Sequence, residues 1–68
     1  METTYYELGD LMVMIIKING EYEYYIRDIT NRQEPFIFAF GIMLKFTEEE
    51  LWEREDYFWD CLNNAYDA

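Results

Sequence analysis

Apolar residues alternate with polar ones, or run unbroken for short lengths, through the first 29 positions, and this period of two predicts strands. Leu11 to Ile18 is apolar except for Lys17, and Asn19-Gly20 follows it with the two residues that best tolerate the positive φ angles of a type I′ turn. Glu21 to Ile29 then returns as the second arm of a hairpin. Gly9-Asp10 can supply a second tight turn, glycine first, joining a strand Thr3 to Leu8 to the same central strand, although Thr3 to Leu8 also fits a helical or irregular segment. Pairing across Asn19-Gly20 sets Ile18 opposite Glu21, Ile16 opposite Glu23, Met14 opposite Tyr25 and Met12 opposite Arg27. Leu11, Val13, Ile15, Tyr22, Tyr24 and Ile26 share the other face, with Tyr6 and Leu8 from the first strand. That face is the more uniformly apolar one and is expected to meet the core. The face carrying Met12, Met14, Ile16 and Ile18 also carries Glu7, Glu21 and Glu23, so it is expected either to stay half exposed or to lie under a second layer.

Asp28 to Pro35 is polar and contains the one proline, and it reads as a connection. Phe36 to Phe46 fits two templates. The alternation of Phe36, Phe38 and Phe40 with Ile37 and Ala39 favours a strand, with Gly41 as a bulge. Pro35 followed by eleven residues also suits a buried helix, with Gly41 as a packing contact. The last element is a helix from about Glu48 to Tyr66. Thr47 and Glu50 form a capping box, and Glu48, Glu49 and Glu50 crowd the first turn, where the helix dipole favours negative charge. Leu51, Trp52, Phe58, Trp59, Leu62, Ala65 and Tyr66 recur at helical spacing as its apolar face, interrupted by Glu55. The reading is a single α+β domain over residues 1–68: an antiparallel sheet of three or four strands with the C-terminal helix packed on one face.

Composition narrows the function classes. Of the 68 residues, 51% are apolar and 21% aromatic, enough for a core without disulfides or metal. The one cysteine, Cys61, has no internal partner, no histidine is present, and no apolar run reaches a membrane-spanning length. With no basic leader-like region, the chain is expected to be soluble and cytoplasmic. No serine is present either, so neither a Ser-His nor a Cys-His nucleophile can be assembled. The three glycines, Gly9, Gly20 and Gly41, lie too far apart for a phosphate cradle, and no calcium-loop pattern occurs. Carboxylates could in principle pair for acid–base work or bind magnesium, but that needs a concave pocket a domain this small seldom encloses. No catalytic residue, cofactor or metal is expected, and Cys61 reads as a small boundary residue of the helix.

Charge changes the picture most. Fifteen carboxylates stand against five basic side chains, a net charge of −10. Such a field repels nucleic acid and anionic membranes and attracts basic partners, although solubility alone would also use it. Between Thr47 and Ala68 eight acids meet one base, Arg54. Glu49, Glu53, Asp56 and Asp60 follow spacings of four, three and four, which puts them in a line on one side of a continuous helix. At about 1.5 Å of rise per residue their separations along the axis match the order of spacing of phosphates on a nucleic-acid strand. Glu21, Glu23 and Glu7 would extend the acidic surface onto the sheet, and Tyr25 is the candidate aromatic anchor. The expected partner is a basic protein, a nucleic-acid-handling enzyme above all.

The Asn19-Gly20 hairpin, the tyrosine-rich return strand E-Y-E-Y-Y, the apolar F-I-F-A-F segment and the acidic E-E-E-L-W-E-R-E-D helix resemble, in element order over residues 11 to 62, small phage-encoded inhibitors of the anti-CRISPR class that mimic DNA. The resemblance carries no diagnostic motif, and the compared type II inhibitor begins with a helix where Thr3 to Leu8 reads as a strand. It implies inhibition by occlusion, with Glu49, Glu53, Asp56 and Asp60 as the main contacts and Glu21, Glu23 and Tyr25 secondary. An immunity protein against a nuclease toxin would use the same physics. A homodimeric structural or adaptor protein joined through the Met12, Met14 and Ile16 face is the reading from another class.

Overall fold

Two tight turns build the first three strands. In the computed structural model, which describes residues 1–31 and 34–67 (of Asp67 the backbone only), β1 runs Glu2–Leu8, β2 Leu11–Ile18 and β3 Glu21–Asp28. Asn19 and Gly20 both hold positive φ, 52° and 80°, as a type I′ turn requires. At the other turn only Gly9 does, at 65°, the mark of a glycine-first type II′ geometry. The register across Asn19-Gly20 is the one the alternation predicts, from Ile18 opposite Glu21 to Met12 opposite Arg27.

Residues 37–42 settle the ambiguity of the third apolar segment in favour of a strand. β4, Ile37–Ile42, pairs antiparallel with β3 and completes a sheet of order β1-β2-β3-β4. The irregularity is not at Gly41, which pairs with Glu23, but at Ala39: Tyr24 faces Phe40 and Tyr25 faces Phe38, leaving Ala39 as the extra residue. The bulge turns Phe40 towards the core and Phe38 to the opposite face. Arg32 and Gln33, in the predicted 28–35 connection, lie outside the described residues.

The chain then crosses beneath the sheet. Tyr24 is fully buried, and its hydroxyl donates to the Leu44 carbonyl and accepts from the Phe46 amide at 3.0 Å, so the crossing segment's polar groups are met inside the core. Thr47 caps the first helix, α1, Glu48–Glu53, by accepting from the Glu50 amide, while the Glu50 carboxylate accepts from the Thr47 amide at 3.0 Å. The Thr47 amide first, and the Thr47 hydroxyl after it, hold the Glu50 carboxyl below its ordinary pKa, so its share of stability is present at neutral pH and lost as pH falls through the lowered value. Buried Phe46 precedes the cap and buried Leu51 lies four residues past it, the positions of a hydrophobic staple. Replacing Thr47 by Ala is expected to lower the unfolding free energy by about 1 kcal/mol, read from the urea midpoint.

The predicted single helix is in fact two, broken at Arg54. In an unbroken helix the Arg54 amide would bond the Glu50 carbonyl. Here the Arg54 side chain takes that carbonyl, Nη1 to oxygen 3.0 Å, and the amide turns to Leu51 at 3.0 Å. A side chain inserted into the ladder bends the helix. The second helix, α2, spans Glu55–Asp67. The apolar stripe consequently differs from its periodicity. Leu51, Phe58 and Leu62 are buried and Trp59 is half-buried, but Trp52 is 46% exposed and Ala65 and Tyr66 also face out.

The core joins Leu8, Leu11, Val13, Ile15, Tyr24 and Ile26 of the sheet to Phe46, Leu51, Phe58 and Leu62. It lies wholly on one face, with α1 against β1 and α2 against β3 and β4. Tyr66 ties the end of α2 back to the start of β4 through a bond from its hydroxyl to the Pro35 carbonyl, 3.1 Å. The domain is thus an α+β fold of two layers, a four-stranded antiparallel sheet with C-terminal helices on one face only.

Candidate functional site

Two surfaces carry the residues singled out from the sequence, and the fold sets them on opposite sides. Glu49 and Glu53 ride α1 and Asp56 and Asp60 ride α2, each pair one turn apart, and all four are exposed. The Arg54 break separates the pairs, so the predicted line is two short rows rather than one regular one. Arg54 is 3.9 Å from Glu53, its carboxylate oxygen to Nη1, while its guanidinium sits 4.0 Å over the Phe46 ring. Lys45 pairs with Glu2, and among the described residues no basic side chain pairs with Glu49, Asp56 or Asp60. Helix acids at such spacings repel one another, which costs a few tenths of a kcal/mol, roughly, per pair.

Glu21, Glu23 and Tyr25 stand on the far side of the sheet from the helices, because their parity in β3 is opposite to that of Tyr24 and Ile26. They do not join the helix acids in one continuous surface. They belong instead to a second patch, since no element of the described chain covers the face that bears them. The Phe36–Phe46 segment does not form a second layer over it, because its residues Ile37–Ile42 are the fourth strand of the same sheet. Across this open face one row runs through all four strands, Tyr5 opposite Met14, Met14 opposite Tyr25, Tyr25 opposite Phe38. Tyr25 and Phe38 meet edge-on at 5.5 Å between ring centres. Phe36 lies 6.4 Å from Tyr5 and under the Arg27 guanidinium at 5.4 Å.

Sequence reasoning missed Tyr5, Phe36 and Phe38 as members of this patch. The alternation Thr3, Tyr5, Glu7 could have placed Tyr5. Phe38 could not be placed, because the bulge at Ala39 switches the parity of β4 relative to what a regular strand would have.

Acids edge the apolar centre. Glu7 pairs with Met12, Glu23 with Ile16 and Glu21 with Ile18 on this same face. The Tyr25 hydroxyl donates to Glu23 Oε1 at 2.8 Å, which holds the carboxylate in place and raises the tyrosine pKa, since ionising that hydroxyl would set two anions together. Aromatic, methionine and arginine side chains at the middle with charges around them match the composition of protein–protein interfaces.

Concave space is limited. A cavity of about 240 Å³ on the open face is lined by Glu7, Met12, Arg27 and Ile29. Another of about 370 Å³ lies between β4 and the helices, lined by Phe40, Ile42, Phe46, Arg54 and Tyr57. Each lining holds a single kind of charge-bearing group or one opposite pair, with no nucleophile beside a base. Cys61 is half-buried and forms no disulfide, and its thiol beside Tyr57 pushes the phenol pKa up. Among the described residues no three acidic or cysteine side chains converge to hold a metal ion, and no helix is long and apolar enough to cross a membrane. No protein-family model, no curated protein and no solved structure matches this chain.

Proposed function

We propose that this chain is an acidic inhibitor, a binding protein rather than an enzyme, that occupies a basic nucleic-acid-binding surface of a partner enzyme and keeps DNA or RNA out of it. The observation that carries this reading is the helix layer's outer surface, where Glu49, Glu53, Asp56 and Asp60 are all exposed and, among the described residues, only Glu53 is paired with a basic side chain. Fifteen acids against five bases give the whole body a field that draws a basic cleft towards it. The partner classes are CRISPR effectors, which the resemblance implies, and nuclease toxins.

The test is competition. Purified CRISPR effectors and nuclease toxins are titrated with the protein at low and high salt in the presence of their nucleic acid. A tight, salt-sensitive complex from which DNA or RNA is excluded is expected. Changing Glu53 to Gln, Asp56 to Asn and Asp60 to Asn is expected to weaken that complex about tenfold or more, by loss of charge pairing. The same triple variant relieves like-charge repulsion along the helices, so its thermal midpoint should not fall, and weaker binding then reports contact rather than unfolding. Unchanged affinity would remove the helices from the interface.

The uncovered sheet face favours a second reading, a homodimer packed through Met12, Met14 and Ile16. Sedimentation distinguishes the two. A dimer that persists from low to high salt and is lost in Met14→Lys supports the second reading, whereas a monomer at both salt concentrations excludes it.

A further inference from the structure

The two edges of the sheet are unlike. β1 carries Glu2 and Glu7, charges of the kind that discourage a further strand. β4 is the opposite edge, and from Pro35 through Leu44 the chain has no ionisable side chain at all. β3 pairs with one side of β4 and, among the described residues, no strand pairs with the other, so the backbone groups on that side have no described strand to bond. Phe38 is 56% exposed, and just beyond the strand Met43 and Leu44 are 79% and 65% exposed. An uncharged, unpaired edge flanked by exposed apolar side chains is a template for strand addition.

What the edge is shaped to take is written around Gly41. A methyl group built there would lie 3.8 Å from Phe38 Cζ and 3.9 Å from both Glu21 Oε2 and Glu23 Cγ. An aromatic ring and two carboxyl-bearing side chains therefore gather beside a residue that has no side chain of its own. Glu23 is held there by Tyr25, and neither Glu21 nor Glu23 has an ion-pair partner among the described residues. A strand added about 4.8 Å outside β4 would set one side chain beside Gly41, next to the Phe38 ring and the two carboxyl-bearing side chains. A lysine or arginine at that point can lay its stem across the glycine onto the Phe38 ring and bring its charge to Glu21 and Glu23. A second copy of β4 has no such residue to offer, and two bodies of charge −10 repel.

We propose that the outer edge of β4 accepts an extended segment of a basic partner as a fifth strand, with a Lys or Arg of that segment seated over Gly41 against Glu21, Glu23 and Phe38. This site stands apart from the helix acids, and either can fail without the other.

The probe is a capped peptide of about seven residues alternating Lys and Val, long enough for one strand. Its control has the valines replaced by proline, which keeps the charge, removes every second amide donor and fixes φ at each of those positions, so that the peptide cannot form a regular ladder. Both are titrated into isotope-labelled protein, and amide hydrogen exchange is followed residue by residue. The expected result is slowed exchange confined to residues 37–42 with the Lys-Val peptide and none with the proline control. The double variant Glu21→Gln, Glu23→Gln, which leaves Tyr25 an acceptor, is expected to bind the peptide about tenfold more weakly. Protection of the helices or of β1 instead, equal binding of the proline peptide, or unchanged affinity in the double variant would each overturn the proposal. So would residues 37–42 that are protected without peptide and lose protection on dilution, because a second copy would then be the occupant.

Discussion

Phe58→Ala is expected to cost about 3–5 kcal/mol, the usual range for deleting a fully buried aromatic ring. Phe58 has no solvent exposure, stacks on Phe40 at 5.8 Å with ring planes 12° apart, and is part of the cluster that fastens α2 to the sheet. A domain of 68 residues has a total stability of about 3–10 kcal/mol, so a loss of this size takes most or all of it. The variant should be largely unfolded, or unfold at much lower urea, by circular dichroism. Trp52→Ala provides the contrast. Trp52 is larger and belongs to the same helical stripe in the sequence, but it is 46% exposed beside the Arg54 break, and its removal should cost clearly less, about 1–2 kcal/mol. Equal losses in the two variants would mean that the helix layer packs differently.

The second large effect is expected at Tyr24. Tyr24→Phe keeps the ring, its packing on Phe40 at 4.8 Å and on Phe46 at 5.4 Å, and removes only the hydroxyl. That deletion leaves the buried Phe46 amide and the part-buried Leu44 carbonyl without their partner, at a cost of about 1–3 kcal/mol. The same hydroxyl gives the fold an alkaline limit. Burial raises the Tyr24 pKa, opposed in part by the Phe46 amide, so the folded state prefers the neutral phenol. The associated stability is fully present below the unfolded tyrosine value, about pH 10, and is lost as pH rises through the raised folded value. Tyr25 and Tyr57 are raised too, by Glu23 and by Cys61, so the native slope sums several contributions. Urea midpoints measured from pH 8 to 11 should fall less steeply in Tyr24→Phe than in the native chain. An unchanged slope would show that Tyr24 is not the group being protected.

Each part of the candidate surface was legible to the extent that local pattern reaches. Glu49, Glu53, Asp56 and Asp60 are exposed, as helical spacing predicts for residues off the Leu51, Phe58 and Leu62 side. Their separation into two pairs was not legible, because the break comes from the Arg54 guanidinium taking the Glu50 carbonyl, a choice made when Arg54 settles over Phe46. Glu21, Glu23 and Tyr25 were correctly put on the same side of their strand as Met14 and Ile16. That this side lies away from the helix acids follows only once the helices have chosen the other face.

Period-two alternation, Asn19-Gly20, Gly9-Asp10 and the Thr47–Glu50 box determined the three-stranded meander, its register and the start of the helix, since each of these rests on φ angles, parity or hydrogen bonds between residues close in the chain. Tertiary structure alone decided that residues 37–42 join the sheet as its edge rather than cover it, that Ala39 bulges and sends Phe38 outward, and that Trp52 meets solvent. Those outcomes depend on how residues far apart in the chain share one core. A four-stranded sheet with helices on one side can bury only one of its faces, and among the described residues the ten buried side chains of that core leave the Tyr5, Met14, Tyr25 and Phe38 row on the uncovered side.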